Sequence, residues 1–298
     1  MTPEVATPVE LTSAIERLVA APPPLLLVAD FDGTLAAVTR DSAATVIDPL
    51  ARRSLRRLSA IAAERPGRLV LTVLTGRTVP DVAARVRVGG LRYLGDHGLQ
   101  SGDLARRGRP GSIRVSTEPG YEDHFDPAER LADGVADELG HPAWLFVERK
   151  GPSVAFHVRQ APDVAVARAA VVAAVARVET REGLVDHGLA HYRGRSVVDL
   201  RPTTAGGKRE AVERLVARER PGAILVLGDE LSDVDAFAAA RDAASAARHL
   251  VTVAIAVHGA GHAAPAELSA VADLHVGSAH DVGRLLAGLA RRLAVEPA

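Results

Sequence analysis

A short apolar segment that ends in two aspartates constrains the fold of this chain more than any other feature of its sequence. Residues 24–28 form a continuous apolar run after prolines, which is typical of a strand buried on both faces of a parallel sheet. Asp30 and Asp32 follow this run, and Gly33 and Thr34 then turn the chain back. Because open α/β sheets bind ligands at the carboxyl ends of their strands, we expect a functional site at this edge.

Two carboxylates in this position suit phosphoryl transfer. One can attack phosphorus and be transiently phosphorylated, while the other donates a proton to the leaving oxygen and then helps water to attack the intermediate. The alternative is an Asp-Gly turn that happens to follow a strand, and such turns are common. The chemical interpretation therefore depends on support from other parts of the chain.

The composition is that of a globular protein and excludes some classes of function. The sequence is 47% hydrophobic and 24% charged, an ordinary balance for a globular protein. Its 298 residues are long enough for two domains. The formal net charge of -1 lacks the basic excess of a nucleic-acid binder. Without cysteine the chain can form no disulfide. We find no signal-peptide pattern and no apolar run that could span a bilayer, so we expect a cytoplasmic protein that binds no membrane.

Buried strands alternate with amphipathic helices on both sides of a central segment. The predicted strands after the first are residues 69–74, 92–94, 223–227 and 251–257. The predicted helices are residues 9–21, 49–64, 80–86, 208–217, a segment that starts at 234, and 280–293. This alternation indicates an α/β fold with a parallel sheet.

The central segment has a different pattern of predicted elements, in which a loop-rich part is followed by paired strands and two helices. Helices are predicted over residues 127–139 and 163–178, and short strands over 144–148, 154–159, 184–188 and 196–200. Lys150 to Ser153 is the predicted hairpin connection. We therefore predict a core of residues 1–103 and 206–298, with residues 104–205 inserted as an α+β domain.

Three further polar positions follow predicted strands or begin a predicted helix. Thr75 lies in a Thr-Gly-Arg turn after the strand 69–74; either it or Thr78 can cap a helix, or its hydroxyl can hold a phosphate at a helix N-terminus. His97, in the next loop, either contacts substrate or fills a turn position. Lys208 begins a helix after two glycines, where it is a phosphate-binding cation or a surface lysine.

A cluster of acidic residues completes the set. Asp229 and Asp233, with Glu230 beside them, follow the strand 223–227 and offer the hard oxygen ligands that Mg²⁺ prefers. With the turns already described, they supply a nucleophile, an acid/base, a hydroxyl, a cation and a metal site. Phosphoryl transfer needs such a set.

The order and spacing of these elements resemble the haloacid dehalogenase superfamily of phosphatases. The four matching motifs are Asp30 to Thr34, Thr75 to Arg77, Lys208, and Gly228 to Asp233. The resemblance implies an α/β fold with a Rossmann-like parallel-sheet core and an inserted α+β cap domain. It also implies that Asp30 is the nucleophile, that Asp32 is the acid/base, and that Thr75 and Lys208 hold the phosphoryl group. Gly76, Arg77 and His97 would contact the substrate. Mg²⁺ would bind to Asp30, to the main-chain carbonyl of Asp32 and to Asp229, with Asp233 nearby.

The central segment is similar to the pattern of trehalose-6-phosphate phosphatases. The residues that carry this similarity, and that it implies as contacts to the sugar, are Glu148, Lys150, Ser153, His157, Arg159 and Asp199. Carboxylate, ammonium and imidazole groups can hydrogen-bond the hydroxyls of a distal sugar ring. The alternative for Glu148, Lys150 and Arg159 is an exposed set of cross-strand ion pairs.

The resemblance implies a phosphatase that hydrolyses trehalose 6-phosphate to trehalose and phosphate, with a small sugar phosphate as its partner and any synthase as a separate chain. Three positions depart from the family pattern: Asp199 replaces a glutamate, Arg209 follows Lys208 in place of glycine, and Glu230 replaces an aspartate. The shorter Asp199 leaves open a related sugar or pseudo-disaccharide phosphate in secondary metabolism. A non-catalytic sugar-phosphate-binding protein is a further alternative, but loss of Asp30 or Asp32 would be its expected signature.

Overall fold

The computed structural model describes residues 4–39, 44–184, 188–193, 196–247, 249–259 and 263–295. Its strands are β1 (Leu25–Ala29), β2 (Leu69–Leu74), β3 (Leu91–Gly95), β4 (Gln100–Leu104), β5 (Ser116–Thr117), β6 (Phe146–Arg149), β7 (Val154–His157), β8 (Leu189–Arg193), β9 (Val197–Pro202), β10 (Ala223–Gly228), β11 (Val251–Val257) and β12 (Leu274–Val276). Its helices are α1 (Pro8–Ala20), α2 (Pro49–Glu64), α3 (Val79–Val86), α4 (Phe125–Glu138), α5 (Val164–Glu182), α6 (Gly207–Glu219), α7 (Leu231–Ala246), α8 (Ala266–Val271) and α9 (Ala279–Val295).

The described chain divides into two compact units. The first contains the described residues of Met1–Thr39, Ala44–Ser116 and Gly206–Ala298, and the second contains those of Thr117–Ala205. Residues 104–116, which are predicted from the sequence to belong to the insertion, are thus part of the first unit. The role of the second unit as a specificity cap stays a prediction.

The first unit is built on a largely parallel sheet with β1 near its centre. Among the described residues the strand order is β12-β11-β10-β1-β2-β3-β4-β5. The pairs from β12 to β3 are parallel, and β4 pairs with β3 in the antiparallel sense. Since β1, β10 and β2 run in the same direction, their carboxyl ends meet at one edge of the sheet.

β1 is apolar at every position because both of its faces are covered. Leu25, Leu27 and Ala29 belong to a core cluster that includes residues of α1, α2 and α9. Leu26 and Val28 point the other way, into a cluster that includes residues of α6 and α7. Side chains alternate between faces along a strand, so five consecutive apolar residues require a layer of helices on each side.

The described second unit has a four-stranded antiparallel sheet with the order β6-β7-β9-β8. Val154, Phe156 and Leu200 lie on one face of this sheet and share a core with Leu131 of α4 and Val175 of α5. This is the predicted α+β organisation. The predicted strand 184–188 falls partly outside the described residues. The next described strand along the chain is β8, which begins at Leu189.

One predicted boundary is wrong at a place that matters for the site. The helix after β10 begins at Leu231 and not at residue 234, because Asp233 Oδ2 accepts hydrogen bonds from the main-chain N–H groups of Asp229 and Glu230, at 3.0 and 3.1 Å. Asp233 therefore lies in the first turn of α7 rather than in a loop. No described helix is both long enough and apolar enough to cross a membrane.

Candidate active site

The turn after β1 places Asp30 inside the first unit. Its main-chain N–H donates to Leu227 O of β10 at 3.0 Å, and the residue is only 4% exposed. Gly33 has a φ of 89°, and a Cβ at this position would lie 1.9 Å from Asp229 Oδ2. Only glycine combines this backbone conformation with so close an approach. The turn thus brings the loops after β1 and β10 together, and Thr34 Oγ1 donates to Asp229 Oδ1 at 3.3 Å.

Lys208 is a buried cation that joins two carboxylates. Its Nζ donates to Asp30 Oδ1 and to Asp233 Oδ1, both at 2.8 Å, and lies 3.6 Å from Glu230 Oε1. Although burial disfavours the charged form, Asp233 and Asp30 hold the pKa of Lys208 well above its ordinary value. The predicted alternative of a surface lysine is not what the structure shows, since the residue is 2% exposed.

Asp30, Asp229 and Asp233 form an acidic group that fits a divalent cation. Each offers one carboxylate oxygen, and these three atoms lie within 4.8 Å of one another. Asp30 Oδ2 is buried and has no hydrogen-bond partner among the described residues. The pKa of Asp30 and the pKa of Asp229 are both well above the ordinary value. Burial is the larger cause, and repulsion from the neighbouring carboxylates adds to it. A hard cation would relieve this repulsion and satisfy the buried oxygen.

Asp32 lies outside that acidic group and is paired with Arg77. Its two carboxylate oxygens accept from Arg77 Nε and Nη2 at 2.6 and 2.7 Å. Arg77 Nη1 also donates to Asp81 at 2.8 Å, and the guanidinium lies 5.5 Å from the centre of the Phe31 ring. Arg77, predicted to contact substrate, therefore holds the side chain of Asp32 in this structure. A metal contact through the Asp32 carbonyl stays a prediction.

The turn after β2 contains the residue that caps the N-terminus of α3. Thr78, and not Thr75, caps α3 by accepting from the N–H of Asp81. Thr75 is buried at the end of β2, and its Oγ1 accepts from the N–H of Arg77 at 3.3 Å. This arrangement is compatible with the predicted role of Thr75 on a phosphoryl group.

His97 packs over Gly76, so the two predicted substrate contacts are neighbours. A Cβ at Gly76 would lie 2.7 Å from His97 Nε2, which excludes any larger residue there. His97 has a φ of 56° and follows Asp96, at 47°. Two successive non-glycine residues in the left-handed region are uncommon, and strain of this kind clusters at functional sites. The structure thus places His97 in a turn beside Gly76, and its contact with substrate stays a prediction.

In the second unit, four of the six predicted sugar contacts lie at one face of the sheet. Ala155 of β7 pairs with Glu148 and with Asp199, and cross-strand partners point to the same face. His157, two residues further along β7, joins them, since alternate residues share a face. The contacts agree: His157 Nε2 lies 2.9 Å from Glu148 Oε2, and Lys150 Nζ donates to Asp199 Oδ1 at 3.4 Å. The helices α4 and α5 contribute to the core on the opposite face.

Lys150 is buried, at 4% exposure, so it does not belong to an exposed ion pair. Its N–H donates to Ser153 O at 3.0 Å and closes the predicted hairpin. Ser153 is also buried, while Arg159 is partly buried in the turn after β7. Five of the six predicted residues are thus held by strands or by the hairpin between them.

Arg201 and Tyr192, which are not among the predicted site residues, lie on this same face. The Arg201 guanidinium stacks over the Tyr192 ring at 3.6 Å, and its Nε lies 3.3 Å from Asp199 Oδ2. Asp199 therefore lies between two cations, Lys150 and Arg201. The spacing of two residues from Asp199 to Arg201 on a strand is the signal that places both on one face.

Comparisons with known proteins show which family the sequence matches. The profile of the trehalose-phosphatase family matches residues 28–268. The trehalose-phosphate phosphatase of Mycobacterium avium is 31% identical over 223 residues, which cover 71% of this chain and 50% of that protein. A Mycobacterium tuberculosis protein described as an uncharacterized glycosyl hydrolase is 33% identical over 240 residues, or 78% of this chain and 16% of that protein. The chain thus spans half or less of the length of these relatives.

Solved structures confirm the predicted fold class. The C-terminal domain of Candida albicans trehalose-6-phosphate phosphatase has a TM-score of 0.71 at 20% identity, with 98% of each chain covered. A haloacid dehalogenase-like hydrolase from Bacteroides thetaiotaomicron has a TM-score of 0.56 at 14% identity, with 91% of this chain and 98% of that chain covered. At these identities the likeness concerns the fold alone. Since the family profile covers most of the sequence, the chain belongs to the trehalose-phosphatase family.

Proposed function

We propose that this chain is a Mg²⁺-dependent phosphatase that hydrolyses trehalose 6-phosphate to trehalose and phosphate by way of a phosphorylated Asp30. The observation that carries the proposal is the state of the Asp30 carboxylate. One oxygen is held by the Lys208 ammonium, and the other is buried without a hydrogen-bond partner among the described residues. A carboxylate fixed at one oxygen and unsatisfied at the other suits a nucleophile beside a cation site.

In the first step an Asp30 oxygen attacks phosphorus, and the bond from phosphorus to the sugar oxygen breaks. Asp32 donates its proton to that leaving oxygen, which becomes the sugar hydroxyl. Lys208 and the Thr75 hydroxyl stabilise the negative charge on the phosphoryl oxygens. The product is an aspartyl phosphate on Asp30.

In the second step water attacks the phosphorus of this intermediate, and Asp32 accepts a proton from it. The bond to Asp30 breaks, inorganic phosphate leaves, and the carboxylate is restored. Both oxygens of Asp32 accept from Arg77 in this structure, so Asp32 must separate at least partly from Arg77 to carry a proton. The ion pair between Arg77 and Asp32 would then be the arrangement of the acid/base before it transfers a proton.

Asp30, Asp229 and Asp233 are the residues that would hold Mg²⁺. The ion would supply positive charge to the phosphoryl group and lower the repulsion among the carboxylates. The face with Glu148, Lys150, His157 and Asp199 would bind the sugar hydroxyls. We also propose a cytoplasmic location and a substrate made by a separate sugar-transferring synthase.

A phosphatase for a related sugar or pseudo-disaccharide phosphate is the second candidate. It is favoured by Asp199, whose short carboxylate lies between Lys150 and Arg201 and is thereby engaged at both oxygens. A non-catalytic binding protein is less well supported, since Asp30 and Asp32 are both present.

A panel of sugar phosphates tests the proposal. Phosphate release should be strongest from trehalose 6-phosphate, weaker from glucose 6-phosphate, and dependent on Mg²⁺. Release from another disaccharide phosphate, with none from trehalose 6-phosphate, would favour the second candidate. No release from any of them would contradict both phosphatase candidates.

Metal binding is tested without reference to activity. In wild-type protein, Mg²⁺ at about 100 times its Kd should raise the free energy of unfolding by about 2 to 3 kcal/mol. Asp229→Asn should lose most of this increase, because it removes one anionic ligand. Urea unfolding with Mg²⁺ or EDTA is the measurement. Asp103→Asn, at an exposed carboxylate that pairs with Arg92, is the matched control and should keep the full increase.

A further inference from the structure

We propose that Phe146 is a stacking platform for the distal sugar ring, the ring that carries no phosphate. The inference rests on the proposed function, because it assigns to that substrate a contact that none of the predicted polar residues supplies. It concerns the edge strand β6 of the second unit, and it adds an apolar surface to the polar face already described.

The exposure of Phe146 is the first observation. The chain has only five phenylalanines, and 3% of its residues are aromatic. Phe31, Phe156 and Phe237 are fully buried, whereas Phe146 is 59% exposed. A large aromatic ring that stays in water forgoes the stabilisation that burial would give, and its exposure in so aromatic-poor a chain is consistent with a ligand contact.

The face to which Phe146 belongs is the second observation. Phe146 pairs with His157 across β6 and β7, so both point to the face that carries Glu148 and Lys150. Its ring centre lies 5.5 Å from that of His157, at an interplanar angle of 36°. His157 is in turn bonded to Glu148. A fixed aromatic ring therefore adjoins a hydrogen-bonded imidazole and carboxylate.

This combination matches the chemistry of a pyranose. A sugar ring has C–H groups that form an apolar surface, and hydroxyls around its rim. An aromatic ring can cover the apolar surface while neighbouring carboxylate and imidazole groups bond the rim. Small ligand sites generally combine apolar surface with a few placed polar groups.

The other aromatic ring on this face is not open in the same way. Tyr192 carries the Arg201 guanidinium at 3.6 Å, which occupies one side of its ring. Phe125, 38% exposed, lies at the start of α4 and not on the sheet. Among the described residues, Phe146 is therefore the aromatic ring on this face that has an exposed surface to offer to a ligand.

Ligand binding to the Asp30→Asn variant, which should not turn over, tests the inference directly. Adding Phe146→Ala should raise the Kd for trehalose 6-phosphate by about fivefold, while the Kd for glucose 6-phosphate, which lacks the distal ring, should stay unchanged. Phe146→Tyr should restore wild-type affinity, because it keeps the ring. Val166→Ala, at an exposed apolar residue of α5, is the control and should change neither Kd.

The outcomes separate this inference from the proposed function. If wild-type protein releases phosphate from trehalose 6-phosphate but Phe146→Ala binds it normally, the stacking platform is wrong and the function stands. If binding depends on Phe146 but wild-type protein releases no phosphate, the function is wrong and the platform stands. Equal weakening for both ligands, or a change in oligomeric state in Phe146→Ala, would also overturn the inference, since Phe146 would then act through folding or through strand pairing.

Discussion

Asp30→Asn should abolish phosphate release, with a loss in kcat of at least about 10⁴-fold. The amide cannot attack phosphorus, and it leaves the binding groups in place. Because asparagine has nearly the same shape, and because burial raises the pKa of Asp30 well above its ordinary value, the variant should fold and be at least as stable as wild type. Steady-state kinetics with trehalose 6-phosphate and a urea unfolding curve check both expectations.

Asp103→Asn serves as the control here as well, because the Asp103 carboxylate is exposed and Arg92 keeps its ion pair with Glu219. It should keep wild-type kcat and stability. If Asp30→Asn retained more than a few per cent of wild-type kcat in a preparation free of contaminating phosphatase, Asp30 could not be the nucleophile.

Lys208→Met should lower both activity and stability. The substitution leaves Asp30 and Asp233 buried without the ammonium that each of them contacts at 2.8 Å. Removing one partner from a buried charged group costs about 3 to 5 kcal/mol in free energy of unfolding. Phosphate release should also fall by about 10²- to 10³-fold, because a cation that stabilises the transferring phosphoryl group is lost.

The stability loss in Lys208→Met should depend on pH, and its sign follows from the carboxylates. Without the ammonium, the pKa of Asp30 rises further above its ordinary 3.8, so the native state binds more protons than the unfolded chain in the window above that value. The free energy of unfolding then falls as pH rises through this window. The deficit relative to wild type should therefore be smaller at pH 5 than at pH 8, measured in urea with EDTA.

Arg209→Gln is the matched control for this experiment. Arg209 follows Lys208 directly, is partly exposed, and pairs with the exposed carboxylates of Glu213 and Asp242. It should change the free energy of unfolding by less than about 1 kcal/mol at either pH. A deficit of similar size in both variants, or one that grows on acidification, would contradict the account of the buried cluster.

Much of the fold could be predicted because burial on two faces leaves a strong pattern. The predicted bounds of α2, β2 and β11 equal the observed ones. β4 was missed because Gln100–Leu104 carries few apolar residues, and β12 because a three-residue strand has no measurable period. These elements depend on tertiary pairing, which no local pattern records.

The proximity of Asp30, Asp229 and Asp233 could be predicted because parallel strands end at one edge of their sheet. Asp30 and Asp229 follow neighbouring strands, so their proximity needed only the strand assignments. The bond from Arg77 to Asp32 could not be predicted, since an arginine in that turn has several carboxylates within reach. Likewise, Arg201 over Tyr192 depends on the register between β8 and β9, which the sequence alone does not specify.

Acid-quenched mass spectrometry during turnover tests the central claim most directly. Wild-type protein mixed with Mg²⁺ and trehalose 6-phosphate, stopped in acid and digested, should yield a peptide phosphorylated at Asp30. The signal should be absent in Asp30→Asn and present in Asp103→Asn. Release of phosphate with no phosphorylated aspartate, or phosphorylation at another residue, would contradict the account.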